Sequence, residues 1–227
     1  MSFIIAIDGP GGVGKGTVTK AIAKDYNLLC VDTGGMYRCV AWEMIRNGIS
    51  LEETEKIEKI LENIQIELKE ENDTQTVILN GEDVSMVIRS KEVSNMVSPM
   101  SDLKMIRHKM VELQRELAKG KNVIMEGRDI GTYVFPNADV KIYLDADLET
   151  RAKRRFLQNQ EKGISDMTYE EVLENIKHRD QNDKQKEMGA LKIAEDAIYI
   201  DTTTLSLDEE INKVKQIVEE KLSRSES

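Results

Sequence analysis

The amino-acid sequence predicts an α/β fold in which five parallel strands form a doubly wound sheet. Three observations indicate this. A glycine-rich loop joins an apolar run to a helix at the start of the chain, further apolar runs alternate with helical stretches, and strand periodicity interrupts that alternation once, near the middle. Strands that alternate with helices form a parallel sheet, and its ligands bind beyond the carboxyl ends of the strands. We therefore expect one α/β frame with a small β-containing insertion.

The first element is an apolar run at residues 3–7, which predicts a short buried strand. A glycine-rich segment follows and leads into a helix that starts near Val18. Glycines allow successive backbone N–H groups to curl around a di- or triphosphate. Lys15 can then reach the outer phosphates, and the Thr17 hydroxyl can bind a magnesium ion. The residues expected to bind the phosphates are Gly9, Pro10, Gly11, Gly12, Val13, Gly14, Lys15, Gly16 and Thr17.

The alternative for this segment is an ordinary glycine-rich turn between a strand and a helix. The lysine, the threonine and the strand–loop–helix context together favour a phosphate-binding loop. Gly16 lies between Lys15 and Thr17, which departs from the strict form of the motif.

The remaining strands and helices follow from apolar runs and helical periodicity. Strands are predicted at residues 28–31, 123–125, 140–144 and 197–200. Helices are predicted at residues 18–24, 36–47, 51–63, 91–97, 100–119, 148–160, 168–186 and 207–222. The period changes after the third helix, because apolar and polar residues alternate along 64–69 and a second strand is indicated at 76–79. Turns are predicted at Asn72-Asp73 and Asn80-Gly81.

Composition and charge narrow the class of protein. A chain of 227 residues, 40% of them apolar, is long enough for one α/β domain. No run approaches the roughly 20 apolar residues that cross a bilayer, and no signal-peptide pattern is visible, so we expect a cytoplasmic protein. The net charge of −10 argues against general binding to nucleic acid or anionic membranes. Cys30 and Cys39 are expected to be buried reduced thiols.

Polar residues follow the predicted strands at the edge where such a sheet binds its ligand. Asp32 and Thr33 follow the second strand, and a Gly-Arg-Asp-x-Gly run at residues 127–131 follows the next strand of the frame. A salt-bridged loop is the alternative interpretation of that run. Basic residues also share helix faces, which is more often a solvated surface than a site. These basic residues are Arg151, Arg154 and Arg155 on one predicted helix, and Arg179 and Lys186 on the next. Asp183 lies on the same helix face as the latter two.

A phosphate loop in an acidic protein needs a local concentration of cations, and this favours a phosphate-binding role for these arginines. His108 and His178 show no catalytic partner pattern and are interpreted as structural or surface residues. The absence of a general base is compatible with phosphoryl transfer to a phosphate. Such an acceptor, with a second pKa of about 6, is largely ionised at neutral pH. Alignment and charge neutralisation then suffice for catalysis.

Together these motifs resemble the bacterial cytidylate kinase family, which belongs to the nucleoside monophosphate kinases of the P-loop class. The resemblance extends from about residue 4 to 217 and rests on segments 9–17, 32–38, 127–132, 141–145 and 179–183. It implies a P-loop kinase fold with a helical lid and an insertion that binds the nucleoside monophosphate. The implied boundaries are 1–63 and 98–222 for the core, about 151–190 for the lid within it, 64–97 for the insertion and 223–227 for a flexible tail.

The resemblance implies transfer of the γ-phosphoryl group of ATP to CMP or dCMP, with Mg²⁺ bound at Thr17. It assigns catalytic roles to Lys15, Arg128, Arg154, Arg155 and Arg179. The implied substrate-binding residues are Thr33, Ser98, Arg107 and Asp129 at the cytosine, Arg38, Arg128 and Lys186 at the acceptor phosphate, and Arg179 and Asp183 at the sugar hydroxyls. Tyr37 is a further expected substrate-binding residue. The expected partners are these small molecules alone, without nucleic acid or membrane, and the expected state is a monomer.

The base assignment is chemically reasonable, because cytosine offers an exocyclic amino donor and a carboxylate such as Asp129 is its natural acceptor. Uracil would turn a carbonyl towards that charge. Two positions depart from the family pattern. Lys186 stands where an arginine usually binds the acceptor phosphate, so we expect binding there to be weaker or shared with Lys184. Ala190 stands where a proline usually follows.

Two alternative functions stay open at this point. The first is a related kinase whose acceptor is AMP, UMP or a small hydroxyl compound; the strand-rich insertion and the pairing of Asp129 with Arg107 argue against it. The second is a nucleotide-dependent switch or binding module without a small acceptor. The chain contains no Asn-Lys-x-Asp run of the kind that reads guanine.

Overall fold

The computed structural model describes residues 2–71, 74–163 and 167–225. Its strands are β1 (Ile4–Asp8), β2 (Leu29–Asp32), β3 (Ile66–Glu71), β4 (Thr74–Leu79), β5 (Glu82–Asp83), β6 (Val123–Gly127), β7 (Val140–Asp145) and β8 (Ile198–Asp201). Its helices are α1 (Lys15–Tyr26), α2 (Thr33–Arg46), α3 (Thr54–Asn63), α4 (Lys91–Met100), α5 (Lys104–Ala118), α6 (Leu148–Lys162), α7 (Tyr169–Gln185) and α8 (Leu207–Ser225). A 3₁₀ turn at Val87–Arg89 and a π turn at Ile130–Val134 complete the elements.

Five strands form one parallel sheet in the order β2-β6-β1-β7-β8, which confirms the predicted doubly wound fold. The central strand, β1, is covered on both faces. Ile5 and Ile7 pack with residues of α1 and α8, whereas Ala6 packs with residues of α2 and α5. A strand buried on both faces has a continuous apolar sequence, which explains why residues 3–7 show no alternation.

The three remaining strands form a separate antiparallel sheet in the order β3-β4-β5, as the change of period predicted. Ile66 pairs with Leu79, and both are buried in the core that also contains α2. Asn80 and Gly81 form the turn into β5 with φ angles of 51° and 86°, which confirms that turn. The turn predicted at Asn72-Asp73 lies outside the described residues.

Several helix ends differ from the predicted ones. Helix α2 begins at Thr33 instead of residue 36, because the Asp32 side chain caps it and accepts a hydrogen bond from the Gly35 N–H (2.9 Å). Gly34 and Gly35 therefore lie in the first turn of the helix. Helix α5 begins at Lys104, because α4 continues through the completely buried Met100.

Helix α3 begins at Thr54 instead of residue 51. Before it, the Ser50 backbone N–H donates to the Glu53 carboxylate (2.9 Å). Helix α8 extends through Ser225, so the segment predicted as a tail is helical up to that residue. Helices α6 and α7 pack together around a small apolar core of their own. The division of the chain into core, insertion and lid stays a prediction.

Every strand of the main sheet extends past its apolar run. The final residues of these strands are Asp8, Asp32, Gly127, Asp145 and Asp201, and Glu126 precedes the glycine. The carboxyl ends of parallel strands meet at one edge, so this edge of the sheet is lined with carboxylates. Cys30 and Cys39 are buried thiols, as predicted. Within the part of the chain that the structure describes, no helix is long and apolar enough to cross a membrane.

Candidate active site

The phosphate loop, residues 9–17, connects the end of β1 to the start of α1. Its glycines are required by close approaches and by backbone conformation. A Cβ atom at Gly12 would lie 3.0 Å from the Arg151 carbonyl oxygen, and the φ angle of Gly12 is 81°. Gly14, with φ of 103°, caps α1 without a side chain. The N-terminus of α1 therefore faces the loop without a side-chain cap, a typical anion-binding arrangement.

Lys15 is buried, and its ammonium group bridges the loop. The Nζ atom donates to the carbonyl oxygens of Gly9 (2.9 Å) and Pro10 (2.8 Å). Burial, together with the nearby charge of Arg128, lowers the pKa of Lys15 to about 7, against the opposing charge of Glu126. A phosphate group beside this ammonium would favour its charged form.

Glu126 lies beside the glycine between Lys15 and Thr17. A Cβ atom at Gly16 would lie 2.8 Å from the Glu126 Oε1 atom, so a side chain at position 16 would require the carboxylate to shift. Burial raises the pKa of Glu126 to about 7, and repulsion from Asp32 contributes. No role was predicted for Glu126 from the sequence, although its position at the end of an apolar strand was a usable signal.

A second site residue that was not predicted is Asp8, the last residue of β1. Its carboxylate accepts hydrogen bonds from the backbone N–H groups of Ile130 (2.8 Å) and Gly131 (2.7 Å). Burial raises the pKa of Asp8 to about 6, although the two backbone bonds favour the charged form. Asp8 thereby fixes the segment that carries Arg128 and Asp129.

One cleft of about 760 Å³ brings the predicted site together. Of the predicted site residues, Gly9 and Pro10 do not line the cleft. Their carbonyl oxygens instead accept hydrogen bonds from the Lys15 ammonium group. Arg89, which follows the insertion sheet and was not predicted, also lines the cleft. The predicted residues that line it are Gly11, Gly12, Val13, Gly14, Lys15, Gly16, Thr17, Thr33, Tyr37, Arg38, Ser98, Arg107, Arg128, Asp129, Arg154, Arg155, Arg179, Asp183 and Lys186.

The arginines that line this cleft lie close enough to one another for their charges to interact, and they also lie near acidic side chains. Burial lowers the pKa of Arg179 to about 10, and the charge of Arg128 adds to the effect. Burial also lowers the pKa of Arg155, with Arg38 and Arg89 contributing. A group of arginines that repel one another in a buried cleft favours an anionic ligand, which would relieve the repulsion.

Asp183 holds two of these cations in position. Its carboxylate accepts from the Arg128 Nε (2.9 Å) and lies 3.0 Å from the Lys186 Nζ. Burial raises the pKa of Asp183, but the two cations outweigh it and lower the value to about 2. Lys186 also donates to the Ser101 Oγ (2.7 Å), so this lysine links α7 to the segment before α5.

Arg38 is the remaining cation predicted at the acceptor phosphate, and it is paired with the end of β2. Its Nη2 atom lies 2.7 Å from the Asp32 Oδ2 atom. Burial raises the pKa of Asp32, but Arg38 and the Gly35 N–H bond more than compensate and lower it. Thr33, next along the chain, donates from its hydroxyl to the Glu126 carbonyl oxygen (2.7 Å).

The arginines of α6 support the phosphate loop from outside. Arg151 donates to the Gly11 carbonyl (3.1 Å) and forms a buried ion pair with Asp180 (2.6 Å). Arg154 donates to the Val13 carbonyl (3.3 Å). Arg151 therefore holds the loop in place. Arg154 lines the cleft and donates to the hydroxyl of Thr202, the residue that follows β8.

At the other end of the cleft, Arg107 and Asp129 form a buried ion pair, with 5% and 3% of their surfaces exposed. The Arg107 Nη1 atom donates to the Tyr37 hydroxyl (2.6 Å). The guanidinium also lies 5.8 Å from the Tyr37 ring centre and 5.6 Å from that of Tyr133. Burial raises the pKa of Asp129, and Arg107 opposes this shift. Tyr37, predicted to bind substrate, contacts Arg107 here.

A phosphate loop beside an arginine-lined cleft at the carboxyl edge of a parallel sheet defines a P-loop kinase. The structure is similar to the crystal structure of an uncharacterized protein from Eubacterium ventriosum, with a TM-score of 0.52 over 97% of this chain and 99% of the other. At 14% identity, that similarity concerns the fold alone.

Sequence comparisons define the family. The family model described as Cytidylate kinase matches residues 5–220. The cytidylate kinase of Caldicellulosiruptor bescii is 48% identical over 213 residues, which is 94% of each chain. That of Bacillus cytotoxicus is 45% identical over 220 residues, which is 97% of each chain. The chain belongs to the cytidylate kinase family.

Proposed function

We propose that the protein transfers the γ-phosphoryl group of ATP to CMP, giving ADP and CDP, and that dCMP is a second acceptor. The observation that carries this proposal is the buried Arg107–Asp129 pair, which lines the same cleft as the phosphate loop. A carboxylate accepts from the exocyclic amine of cytosine, and an arginine donates to the acceptors of the ring. Family membership supports the same acceptor.

Selection against UMP follows from the burial of this pair. Uracil would place a carbonyl oxygen against the Asp129 carboxylate, in surroundings where water cannot separate the two. Thr33 and Ser98 line the same cleft and are assigned to the proposed base site.

The acceptor phosphate is assigned to Arg38 and Arg128, with Lys186 beside them. Arg128 and Lys186 are already oriented by Asp183, so binding requires little rearrangement of their side chains. Arg179 and Asp183 are assigned to the sugar hydroxyls. The phosphate oxygen that attacks is largely ionised at neutral pH and needs no general base.

The donor is assigned to the phosphate loop, residues 9–17. Backbone N–H groups of the loop and of the first turn of α1 would hold its phosphates. Lys15, Arg154, Arg155 and Arg179 would neutralise charge as the phosphoryl group moves between the two nucleotides. Closure of the proposed lid, residues 151–190, would exclude water and limit hydrolysis of ATP.

The residues beside the loop fit a magnesium ion. Among the described residues, no cluster of three or more metal-ligating side chains is present. Mg²⁺ bound with a nucleotide needs only one or two protein oxygens, because phosphates and water supply the rest. The Thr17 hydroxyl and the Glu126 carboxylate both line the cleft at the loop and are hard oxygen donors. When bound, the ion would neutralise phosphate charge.

The experiment that tests this function is a coupled assay of ADP formation with ATP and each of CMP, dCMP, UMP, AMP and GMP. We expect CMP and dCMP to be used with kcat/KM at least about tenfold above that for UMP. Preference for another monophosphate would contradict the acceptor assignment. ADP formation that is equal with and without every acceptor would favour a nucleotide-dependent switch.

The enzyme is further proposed to act in the cytoplasm as a monomer, on small molecules without nucleic acid or membrane. The arrangement of its cations supports the absence of general binding to nucleic acid or anionic membranes, because they are gathered in the cleft of a chain whose net charge is −10. Size-exclusion chromatography with light scattering tests the monomer, and retention of a dimer at micromolar concentration would contradict it.

A further inference from the structure

The π turn at Ile130–Val134 follows Asp129 directly, and its first backbone N–H groups need acceptors from outside the turn. The first N–H groups of any helical turn have no partner within it. Here Ile130 is 1% exposed and Gly131 is buried, so water cannot serve as the acceptor. A buried N–H group without a partner is costly, and these two groups therefore require one from the protein.

Asp129 occupies the position from which an aspartate usually supplies such a partner. A side chain that immediately precedes a helical turn commonly accepts from the N–H two or three residues further on, which here begins with Gly131. Asp129 makes no hydrogen bond of this kind. Its carboxylate pairs instead with Arg107, which reaches it from α5. Capping the turn and reading the base would thus compete for one carboxylate.

Asp8 caps the turn from a different strand. Its Oδ1 atom accepts from the Ile130 N–H (2.8 Å), and its Oδ2 atom accepts from the Gly131 N–H (2.7 Å). Asp8 is paired in register with Gly127, so its side chain lies at the end of the sheet where this turn begins. Both oxygens of the buried Asp8 carboxylate have backbone donors, and the turn needs nothing from Asp129.

The two carboxylates are close enough to repel each other. Burial raises the pKa of Asp8 to about 6, and the charge of Asp129 contributes to this shift. Each carboxylate has donors of its own, the two backbone N–H groups for Asp8 and the guanidinium of Arg107 for Asp129. Separate sets of donors allow two neighbouring acids to keep different orientations.

We propose that Asp8 is a positioning residue for acceptor specificity: it caps the turn in place of Asp129 and so leaves the Asp129 carboxylate to Arg107 and the base. Without Asp8, the Asp129 carboxylate is the acceptor nearest in the chain to the Gly131 N–H, and it would turn from the base site to the turn. This inference rests on the proposed function, because that function assigns base reading to Asp129.

The test measures the CMP-to-UMP ratio of kcat/KM in Asp8→Ala and Asp8→Asn. We expect a fall of about tenfold in Asp8→Ala, which removes both acceptors, and a smaller fall of about threefold in Asp8→Asn, whose amide oxygen can still accept one of the two bonds. A variant that folds poorly still reports this ratio, because the concentration of active enzyme cancels. Asp139→Asn is the matched control, since its carboxylate accepts the Ile4 N–H (2.7 Å) at the other end of β1, and its ratio should equal that of the parent.

A double variant separates this role from general support of the fold. If Asp8 acts through Asp129, adding Asp8→Ala to Asp129→Asn should change the ratio by less than about twofold, because the carboxylate to be positioned is already absent. A parental ratio in both Asp8 variants would overturn the inference, as would an equal fall from Asp8→Ala in the two backgrounds. An unchanged ratio in Asp129→Asn alone, or a parent enzyme that does not use CMP, would instead overturn the proposed function, so the two failures can be told apart.

Discussion

The two ends of the cleft are built in different ways. At the donor end, consecutive residues of one loop present backbone N–H groups, and glycines permit the conformation. At the acceptor end, side chains from three separate segments, α5, the residues after β6 and α7, pair with one another in the Arg107–Asp129 and Arg128–Asp183 ion pairs. A phosphate can thus be bound by a contiguous stretch of backbone, whereas a base is read by charged groups that the whole fold has to align.

The largest effect is expected at Lys15, the side chain on which phosphate binding at the donor end depends. We expect Lys15→Ala to reduce kcat about a thousandfold, because a cation at the transferring phosphate is lost and nothing in the loop replaces it. The coupled assay measures this loss, and circular dichroism shows whether the fold is kept. Lys24→Ala, in the last turn of the same helix, is the control. Activity within tenfold of the parent would contradict the assigned role of Lys15.

At the acceptor end, the corresponding change is Asp129→Asn. We expect the CMP-to-UMP ratio of kcat/KM to fall about 10- to 100-fold, because an amide can donate to the carbonyl of uracil and no longer repels it. The acceptor panel measures the ratio directly. Asp208→Asn, at an exposed position in the first turn of α8, should leave it unchanged. A ratio equal to that of the parent would show that the base is read elsewhere.

The donor end could be predicted from sequence because its parts are adjacent in the chain. Strand, glycines, lysine and threonine lie within residues 4–17, so local rules suffice to place them. The five-stranded sheet followed from apolar runs that are buried on both faces. The ends of those strands were placed too early, because the backbone ladder continues through Asp8 and Asp32 whatever the polarity of their side chains.

The acceptor end was predicted only as a set of residues implied by a family resemblance, without their partners. No sequence rule indicates that Asp183 holds Arg128, or that Tyr37 holds Arg107, because these contacts join residues 55 and 70 positions apart. The contact of Glu126 with Gly16 was missed for the same reason. Long-range pairing is fixed by the packing of the sheet and helices, which local periodicity does not determine.

The proximity of the Glu126 carboxylate to Gly16 offers a smaller test of the donor end. Gly16→Ala should lower kcat/KM about tenfold, because the new methyl group would displace the Glu126 carboxylate beside the loop. Shortening that side chain with Glu126→Asp should make the alanine less harmful. Kinetics of both single variants and the double variant measure the coupling. Strictly additive effects would mean that the alanine acts through something other than Glu126.

The smallest expected effect concerns Glu210, a buried carboxylate at the donor end whose Oε1 atom has no hydrogen-bond partner among the described residues. Burial raises its pKa from the usual 4.5 to about 7, and Arg154 and Lys15 only partly oppose this. A raised folded-state pKa means that the folded protein holds the proton more tightly. Stability due to this group is therefore complete below about pH 4.5 and is lost as the pH rises through 7.

Glu210→Gln removes this titration. We expect the variant to gain about 1 kcal/mol of unfolding free energy relative to the parent at pH 8, and little or none at pH 5. Urea unfolding at the two pH values measures the difference, and Glu220→Gln on the exposed face of the same helix is the control. The Glu210 carboxylate would lie 3.7 Å from a Cβ atom at Gly14, so phosphates in the loop should raise its pKa further. An equal gain at both pH values would show that Glu210 does not titrate between them.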